Sequence, residues 1–141
     1  MDGLTARVCT FSDRKKALDW FNCRMHKMYG KGYTLSFDWF DDNSGIAVEK
    51  DGRLLALVIL YIESARNVGQ IGWVVTNPEN KPRESYEALD LAIAEVIKLA
   101  RDKDVRYLMS YIAVPGINKL LGKHGLLQGD RGVEQRICRL R

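Results

Sequence analysis

The feature that most constrains this chain is a nearly uninterrupted apolar stretch from Leu54 to Ile62. It follows Lys50-Asp51-Gly52, and an Asp-Gly pair favours the tight turn of a β-hairpin. The sequence therefore predicts two strands, Ile46 to Glu49 and Arg53 to Glu63. Because a strand that is apolar on both faces must be covered on both, the second strand belongs in the interior of a sheet.

Two segments with helical periodicity lie on either side of this hairpin. The first begins at Ser12 or Asp13, either of which can act as the N-cap, and is expected to end near Gly30 and Gly32. The second covers 85–103 and has the clearest amphipathic pattern in the chain. Its apolar face comprises Leu89, Ile93, Val96, Ile97 and Ala100. Asn80 and Pro82 provide the residue types that precede and open a helix.

The remaining segments complete the predicted order. Strands are expected at 6–10, 67–76, 105–114 and 134–140, a short helix at 115–121, and a loop or a short irregular helix at 33–44. Hairpins followed by a β-α-β unit describe an α/β (α+β) fold, a mixed and mostly antiparallel sheet flanked by helices. Neither a repeat nor a linker interrupts the pattern, so residues 1–141 are predicted to form a single domain.

Composition narrows the functional classes. No apolar run approaches the roughly 20 residues of a membrane span, and Met1 to Thr10 lacks the basic-then-apolar order of a secretory signal. We therefore expect a cytoplasmic protein without a membrane partner. Three widely spaced cysteines and two histidines form neither a disulfide framework nor a metal site, which predicts buried thiols. They are Cys9, Cys23 and Cys138.

The net charge of +4 is a mild bias towards an anionic partner. The basic residues are scattered, and there is no aromatic-basic ribbon, zinc motif or helix-turn-helix pattern. Nucleic acid is therefore not the favoured partner.

The sharpest local pattern is VTNPENKPRESY at residues 75–86. With the order of elements around it, this segment resembles the GCN5-related N-acetyltransferase (GNAT) family, in which a V-x-P-like step and an R/Q-x-x-G-x-G/A turn open the long helix. Pro78 matches the proline step and Lys81 stands at the Arg/Gln position, but Glu84 and Tyr86 replace the glycines. The resemblance covers nearly the whole chain and, in size and altered turn, is similar to small bacteriophage proteins of this kind.

The resemblance implies an N-acetyltransferase that transfers the acetyl group of acetyl-CoA to an amine of a small molecule, peptide or protein. The implied coenzyme contacts are Val74, Val75, Lys81, Arg83, Glu84, Ser85 and Tyr86. Glycines let backbone amides approach the pyrophosphate at a helix N-terminus, whereas Glu84 brings a carboxylate to that place. Two interpretations stay open: Lys81 and Arg83 hold the phosphates, or Glu84 only caps the helix.

The general acid and base are not assigned by the resemblance. Counting back from Gly125, the tyrosine of the family falls on Leu121 and its asparagine on Val114, and neither side chain can transfer a proton. The candidate catalytic residues are instead Glu63, the carboxylate nearest in sequence, and Tyr111, on the strand where substrate meets coenzyme. The alternatives are a solvated strand end for Glu63 and a core or edge aromatic for Tyr111.

Two functions are therefore compatible with the sequence. Direct attack of a neutral amine on a thioester needs mainly proximity, orientation and an oxyanion donor, which a backbone amide near Val74 or Val75 can supply. The alternative is a catalytically inactive GNAT-like protein that binds a macromolecular partner. His124 is expected to be a surface residue, and Asp41 and Asp42 either border the acceptor cleft or form a solvated turn. The apolar final strand leaves a homodimer open.

Overall fold

The computed structural model describes residues 3–30, 44–112, 114–127 and 129. Within them, five strands form one sheet in the order β1-β2-β3-β4-β5, with antiparallel pairing up to β4 and parallel pairing of β4 with β5. The elements are β1 Thr5–Val8, α1 Phe11–Tyr29, β2 Ser44–Lys50, β3 Arg53–Glu63, β4 Val68–Thr76, α2 Pro82–Asp102, β5 Tyr107–Ser110 and α3 Pro115–Lys123. The predicted mixed, mostly antiparallel sheet is confirmed. The strand predicted at 134–140 and the loop with Asp41 and Asp42 lie outside the described residues.

Strand β3 is the centre of the structure, as its apolar sequence predicts. Val58 and Leu60 face α2 and α3, whereas Leu57 and Ile59 face α1. All four side chains are buried. Because each face of β3 meets a helix, the strand can be apolar throughout without exposing that surface to water.

The hairpin between β2 and β3 follows from its two turn residues. Asp51 has φ of 51° and Gly52 has φ of 76°, and positive φ at both central positions is the geometry of a type I′ turn. Lys50 pairs with Arg53 directly across this turn. The turn thereby fixes the position of Arg53 at the start of β3.

The N-cap of α1 is Thr10, so the predicted cap at Ser12 or Asp13 is wrong. Asp13 is instead the third helical residue: its Oδ2 accepts from the Thr10 backbone N–H at 2.7 Å, and the Thr10 Oγ1 accepts from the Asp13 N–H at 3.2 Å. This is a capping box. Arg7 binds the same carboxylate, donating from Nη1 at 2.5 Å and from Nη2 at 3.0 Å, so Asp13 joins β1 to the first turn of α1.

Three other predictions are corrected by the structure. β5 has four residues instead of the expected ten, because it pairs only with Val68 to Ile71 of β4. α2 begins at Pro82, three residues before the predicted start. Among the thiols, Cys9 is buried but Cys23 is exposed, since Cys23 lies on the face of α1 turned away from the buried Ala17 and Leu18.

Candidate functional site

The sheet opens between β4 and β5. Their parallel pairing ends at Ile71 and Ser110, while β4 continues to Thr76. Within residues 44–112, the edge of β4 from Gly72 to Thr76 therefore faces no partner strand on the β5 side. Unpaired N–H and C=O groups on a strand edge are available to a ligand. Val74 and Val75, two of the predicted contact residues, lie on this edge.

A bulge at Gly72 sets the position of the opening. Trp73 pairs with Ile59 and Ile71 with Leu60, so Gly72 is the extra residue of β4. The ring of Tyr61 occupies the space beside it: a Cβ at position 72 would lie 1.8 Å from the Tyr61 Cε2. Burial raises the pKa of Tyr61 to about 12, even though a hydrogen bond with Trp73 acts in the opposite direction. The bulge thus needs glycine, and β4 leaves its parallel partner there.

The start of α2 lies at the end of β4 and is capped by Glu84. The Glu84 Oε1 accepts from the Lys81 backbone N–H at 2.9 Å, and its Oε2 accepts from the Arg53 Nη1 at 3.3 Å. The bond from the Lys81 N–H lowers the pKa of Glu84; desolvation acts in the opposite direction, and Arg53 lowers the pKa further. Since the Lys81 side chain has no acceptor, the cap is one-sided. The capping bond that the second interpretation of Glu84 requires is therefore present in the structure.

Asn80 ties this turn to the central strand. Its Nδ2 donates to the Leu55 backbone carbonyl at 2.9 Å and to the Ser85 Oγ at 3.1 Å. Its Oδ1 accepts from the Arg53 Nη2 at 3.0 Å. Arg53 therefore holds both Asn80 and Glu84. Sequence reasoning missed Arg53, which is 27 and 31 positions away from these partners, and no local pattern marks it.

The other predicted turn residues face solvent to different extents. Arg83 is 88% exposed and pairs with Glu87 at 3.0 Å. Lys81 and Tyr86 are exposed, whereas Ser85 is half-buried as an acceptor for Asn80. The structure thus gathers the predicted contact residues of the turn at one helix end, around a carboxylate rather than around free amides.

The two candidate catalytic residues lie at different positions along β4. Tyr111 directly follows β5 and so lies where β4 and β5 part, with 61% of its surface exposed. Glu63 ends β3, pairs with Val68 at the far end of β4, and forms an ion pair with Arg66 at 3.3 Å. The structure therefore brings Tyr111 to the same opening as Val74 and Val75, and it does not bring Glu63 there.

The final helix contains no proton donor at the two positions singled out by the resemblance. Leu121 is buried in the core, and Val114 is the exposed N-cap of α3. The expectation that His124 is a simple surface residue is wrong. Its Nε2 lies 2.7 Å from the Asp90 Oδ1, and the Lys123 Nζ lies 3.1 Å from the same carboxylate. Burial acts to raise the pKa of Asp90, but the bonds to His124 and Lys123 outweigh it and the pKa is lowered.

We expect Asp90→Asn to reduce the free energy of unfolding near pH 6 by roughly 1 kcal/mol or less, the size of a partly exposed ion pair. Because the pKa of Asp90 is lowered on folding, its contribution is present above the unfolded pKa and is lost as the pH falls through the folded pKa. Urea unfolding of both proteins at several pH values measures this. Glu95→Gln, on the exposed side of α2, is the control. A deficit that is equally large near pH 2 would contradict the prediction.

Two absences apply to the described part of the chain. No helix there is long and apolar enough to cross a membrane. In the same residues, no group of three or more His, Cys, Asp or Glu side chains could hold a metal ion.

The sheet order, the opening beside β4 and the long helix that starts where β4 ends define the fold of the GNAT acetyltransferases, and the chain has this fold. Among solved structures, it is similar to a ribosomal-protein-alanine N-acetyltransferase from Brucella melitensis biovar Abortus 2308, with 14% identity, 98% of this chain and 99% of that chain covered, and a TM-score of 0.63.

Two further solved structures show the same likeness. An aminoglycoside acetyltransferase from an uncultured soil metagenomic sample, in complex with sisomicin, has 7% identity, coverage of 99% and 98%, and a TM-score of 0.66. The yncA protein of Salmonella typhimurium, with its cofactor acetyl-CoA, has 12% identity, coverage of 88% and 79%, and a TM-score of 0.67. No protein-family model matches the sequence, and no curated protein matches it.

Proposed function

We propose that this protein is an N-acetyltransferase that transfers an acetyl group from a coenzyme A thioester to an amine. The observation that carries the proposal is the unpaired edge of β4 from Gly72 to Thr76, which opens beside the start of α2. The solved structures support the reaction class: their names describe acetyl transfer to aminoglycosides and to a ribosomal protein, and one contains acetyl-CoA.

The chemistry at this edge needs few side chains. An acyl thioester lying along β4 would place its carbonyl oxygen near the backbone N–H groups around Val74 and Val75, which stabilise the oxyanion. The neutral amine attacks the carbonyl carbon, the C–N bond forms, and the C–S bond breaks. The amine loses one proton and the departing thiolate takes one up. Tyr111, at the mouth of the opening, is proposed to donate its phenolic proton to sulfur, and the proton released by the amine returns through solvent to the phenolate.

The diphosphate of coenzyme A does not fit the start of α2 in its capped form. The Lys81 N–H already donates to the Glu84 carboxylate, and a diphosphate there would meet a group of the same charge. No step of the proposed reaction depends on that contact. The proposed reaction therefore depends only on contacts with the thioester end of the donor.

A second function is favoured by a different observation. Leu121 is buried and Val114 has an aliphatic side chain, so the final helix presents neither of the polar groups that the resemblance implies. A GNAT-like protein that has lost catalysis and binds a macromolecular partner accounts for these two positions.

One experiment separates the two functions. The protein is incubated with about 1 mM acetyl-CoA and one of three amines: an aminoglycoside, a peptide with an N-terminal alanine, or a polyamine. Products are identified by mass spectrometry. Thermal unfolding is recorded alongside, since a ligand at about 100 times its Kd adds about 2.7 kcal/mol. An acetylated product supports the acetyltransferase. A thermal shift without product favours the binding protein. The absence of both a thermal shift and a product would reject the acetyltransferase.

The role of Tyr111 is tested in the same assay. Because general acid catalysis contributes typically about 10²-fold or more, we expect Tyr111→Phe to lower kcat on the most reactive amine by at least about tenfold. Tyr107→Phe is the matched control, since Tyr107 is an exposed tyrosine at the other end of β5. Equal rates for the two variants would remove Tyr111 from the mechanism. Glu63 as general base stays a prediction.

A further inference from the structure

We infer that Glu84 takes the place of an anionic ligand at the start of α2, so that the protein recognises its donor by the pantetheine arm and not by the diphosphate. This inference rests on the proposed acetyl transfer and names the part of the donor that is bound. Glu84 is thereby a specificity-determining residue: it excludes a phosphate group from a helix end that would otherwise attract one.

The first step concerns the backbone amides. A helix N-terminus binds an anion through N–H groups that have no partner in the helix. Here the N–H of Lys81, the residue before the helix, donates to the Glu84 Oε1 at 2.9 Å, and Pro82, the first helical residue, has no N–H to offer. A phosphate oxygen could reach the Lys81 N–H only by displacing a carboxylate of its own sign.

The second step concerns what holds the carboxylate in place. Arg53 donates from one guanidinium nitrogen to Glu84 and from the other to Asn80, at 3.3 and 3.0 Å. Asn80 is itself fixed to the Leu55 carbonyl of β3. Displacing Glu84 would therefore leave a guanidinium, fixed at the start of the central strand, without its carboxylate. The cap is part of a connected network and not an isolated surface contact.

The third step concerns the remaining open surface. The β4 edge from Gly72 to Thr76 has no partner strand on the β5 side within residues 44–112. The pantetheine arm is an extended chain with two amide groups, and such a chain can hydrogen-bond to an open strand edge as an added strand does. The arm and its thioester thus find partners on β4, whereas the diphosphate finds its position taken.

The test compares two donors that share the thioester and differ in the diphosphate-nucleotide half. We expect the wild-type kcat/KM values for acetyl-CoA and for S-acetyl-pantetheine to agree within about threefold. In Glu84→Ala, kcat/KM for acetyl-CoA should rise at least tenfold relative to that for S-acetyl-pantetheine. Glu95→Ala removes the same charge further along α2, where its partner is Lys98, and should leave the ratio unchanged.

A second measurement uses the wild-type protein and needs no turnover. The nucleotide half of coenzyme A, 3′-phosphoadenosine diphosphate, is titrated to about 5 mM while the Lys81 backbone amide is followed by ¹⁵N–¹H NMR. No movement of that resonance is expected. Movement of the resonance, a wild-type preference of tenfold or more for acetyl-CoA, or an equal rise of the ratio in Glu95→Ala would overturn the inference. Transfer from neither donor counts against the proposed function, and the NMR titration then decides the role of Glu84.

Discussion

Asp13→Ala is expected to lower the free energy of unfolding by roughly 3 kcal/mol, the lower end of the range for breaking a buried ion pair. The lower end applies because Arg7 is partly exposed: the side chain of Asp13 is 8% exposed and that of Arg7 is 34% exposed. The substitution removes two hydrogen bonds from Arg7 and half of the capping box with Thr10. Arg7 would keep its contact with Glu49, at 3.3 Å, and a longer one with the Val8 carbonyl, at 3.5 Å.

Urea unfolding near pH 7 measures this loss, with Asp19→Ala as the matched control. Asp19 is an exposed aspartate on the same helix, and its removal should change stability by no more than about 0.5 kcal/mol. A loss below about 1 kcal/mol for Asp13→Ala would show that Arg7 and Thr10 find other partners at little cost.

The pH dependence of the same variant has a definite sign. Burial acts to raise the pKa of Asp13, but the hydrogen bonds from Arg7 and Thr10 outweigh burial and the pKa is lowered. The contribution of Asp13 is therefore fully present above the unfolded pKa and is lost as the pH falls through the folded pKa. The stability curves of wild type and Asp13→Ala should converge in acid. Parallel curves would argue against the ion pair.

The second large effect is expected at Gly72, where alanine should cost roughly 1–3 kcal/mol, as overpacking of a core does. A Cβ there would lie 1.8 Å from the Tyr61 Cε2 and 2.3 Å from its Cδ2. The ring is half-buried and packs in the α1-side cluster with Trp73, so it cannot move aside without losing that packing. Either the ring or the bulge must shift.

A double-mutant cycle assigns the cost to the ring. Gly72→Ala should destabilise the wild-type protein but have little effect in the Tyr61→Ala background, where the space is empty. Gly122→Ala is the control: Gly122 lies in α3 with nothing within 4 Å of its added Cβ, so alanine should stabilise by up to about 1 kcal/mol. If Gly72→Ala costs the same in both backgrounds, backbone strain and not Tyr61 is responsible.

The local chemistry of the chain was sufficient to predict its central hairpin. Asp51 and Gly52 both have positive φ values, which aspartate tolerates and glycine adopts readily. The apolar run that follows them becomes the buried β3. Periodicity likewise located α2. These predictions succeeded because each depends on residues that are neighbours in sequence.

The features that sequence analysis missed depend on distant partners. Arg53 reaches Glu84 across 31 positions and His124 reaches Asp90 across 34, and no local pattern encodes either contact. The true N-cap, Thr10, could have been predicted from the sequence, since Thr10 and Asp13 have the spacing of a capping box. The bulge had a weaker signal in Gly72 itself, because glycine inside a strand often marks one.

The candidate site likewise includes residues that the sequence could predict and contacts that it could not. Val74, Val75 and Tyr111 were implied by the resemblance to the GNAT family, and all three lie at the opening between β4 and β5. The state of the turn could not be predicted, because whether Glu84 points at the helix end or away from it depends on Arg53. Glu63 was chosen for proximity in sequence, but the antiparallel hairpin carries it to the far end of the sheet.

The anchoring of Asn80 to Leu55 has a mechanical consequence. The start of α2 is hydrogen-bonded to β3, the strand that is buried on both faces. A partner that touches this turn meets a surface whose shape is already fixed in the free protein, so little conformational entropy is lost there on contact. A force applied to this turn would be transmitted through the hydrogen bond from Asn80 to Leu55 to the central strand, β3.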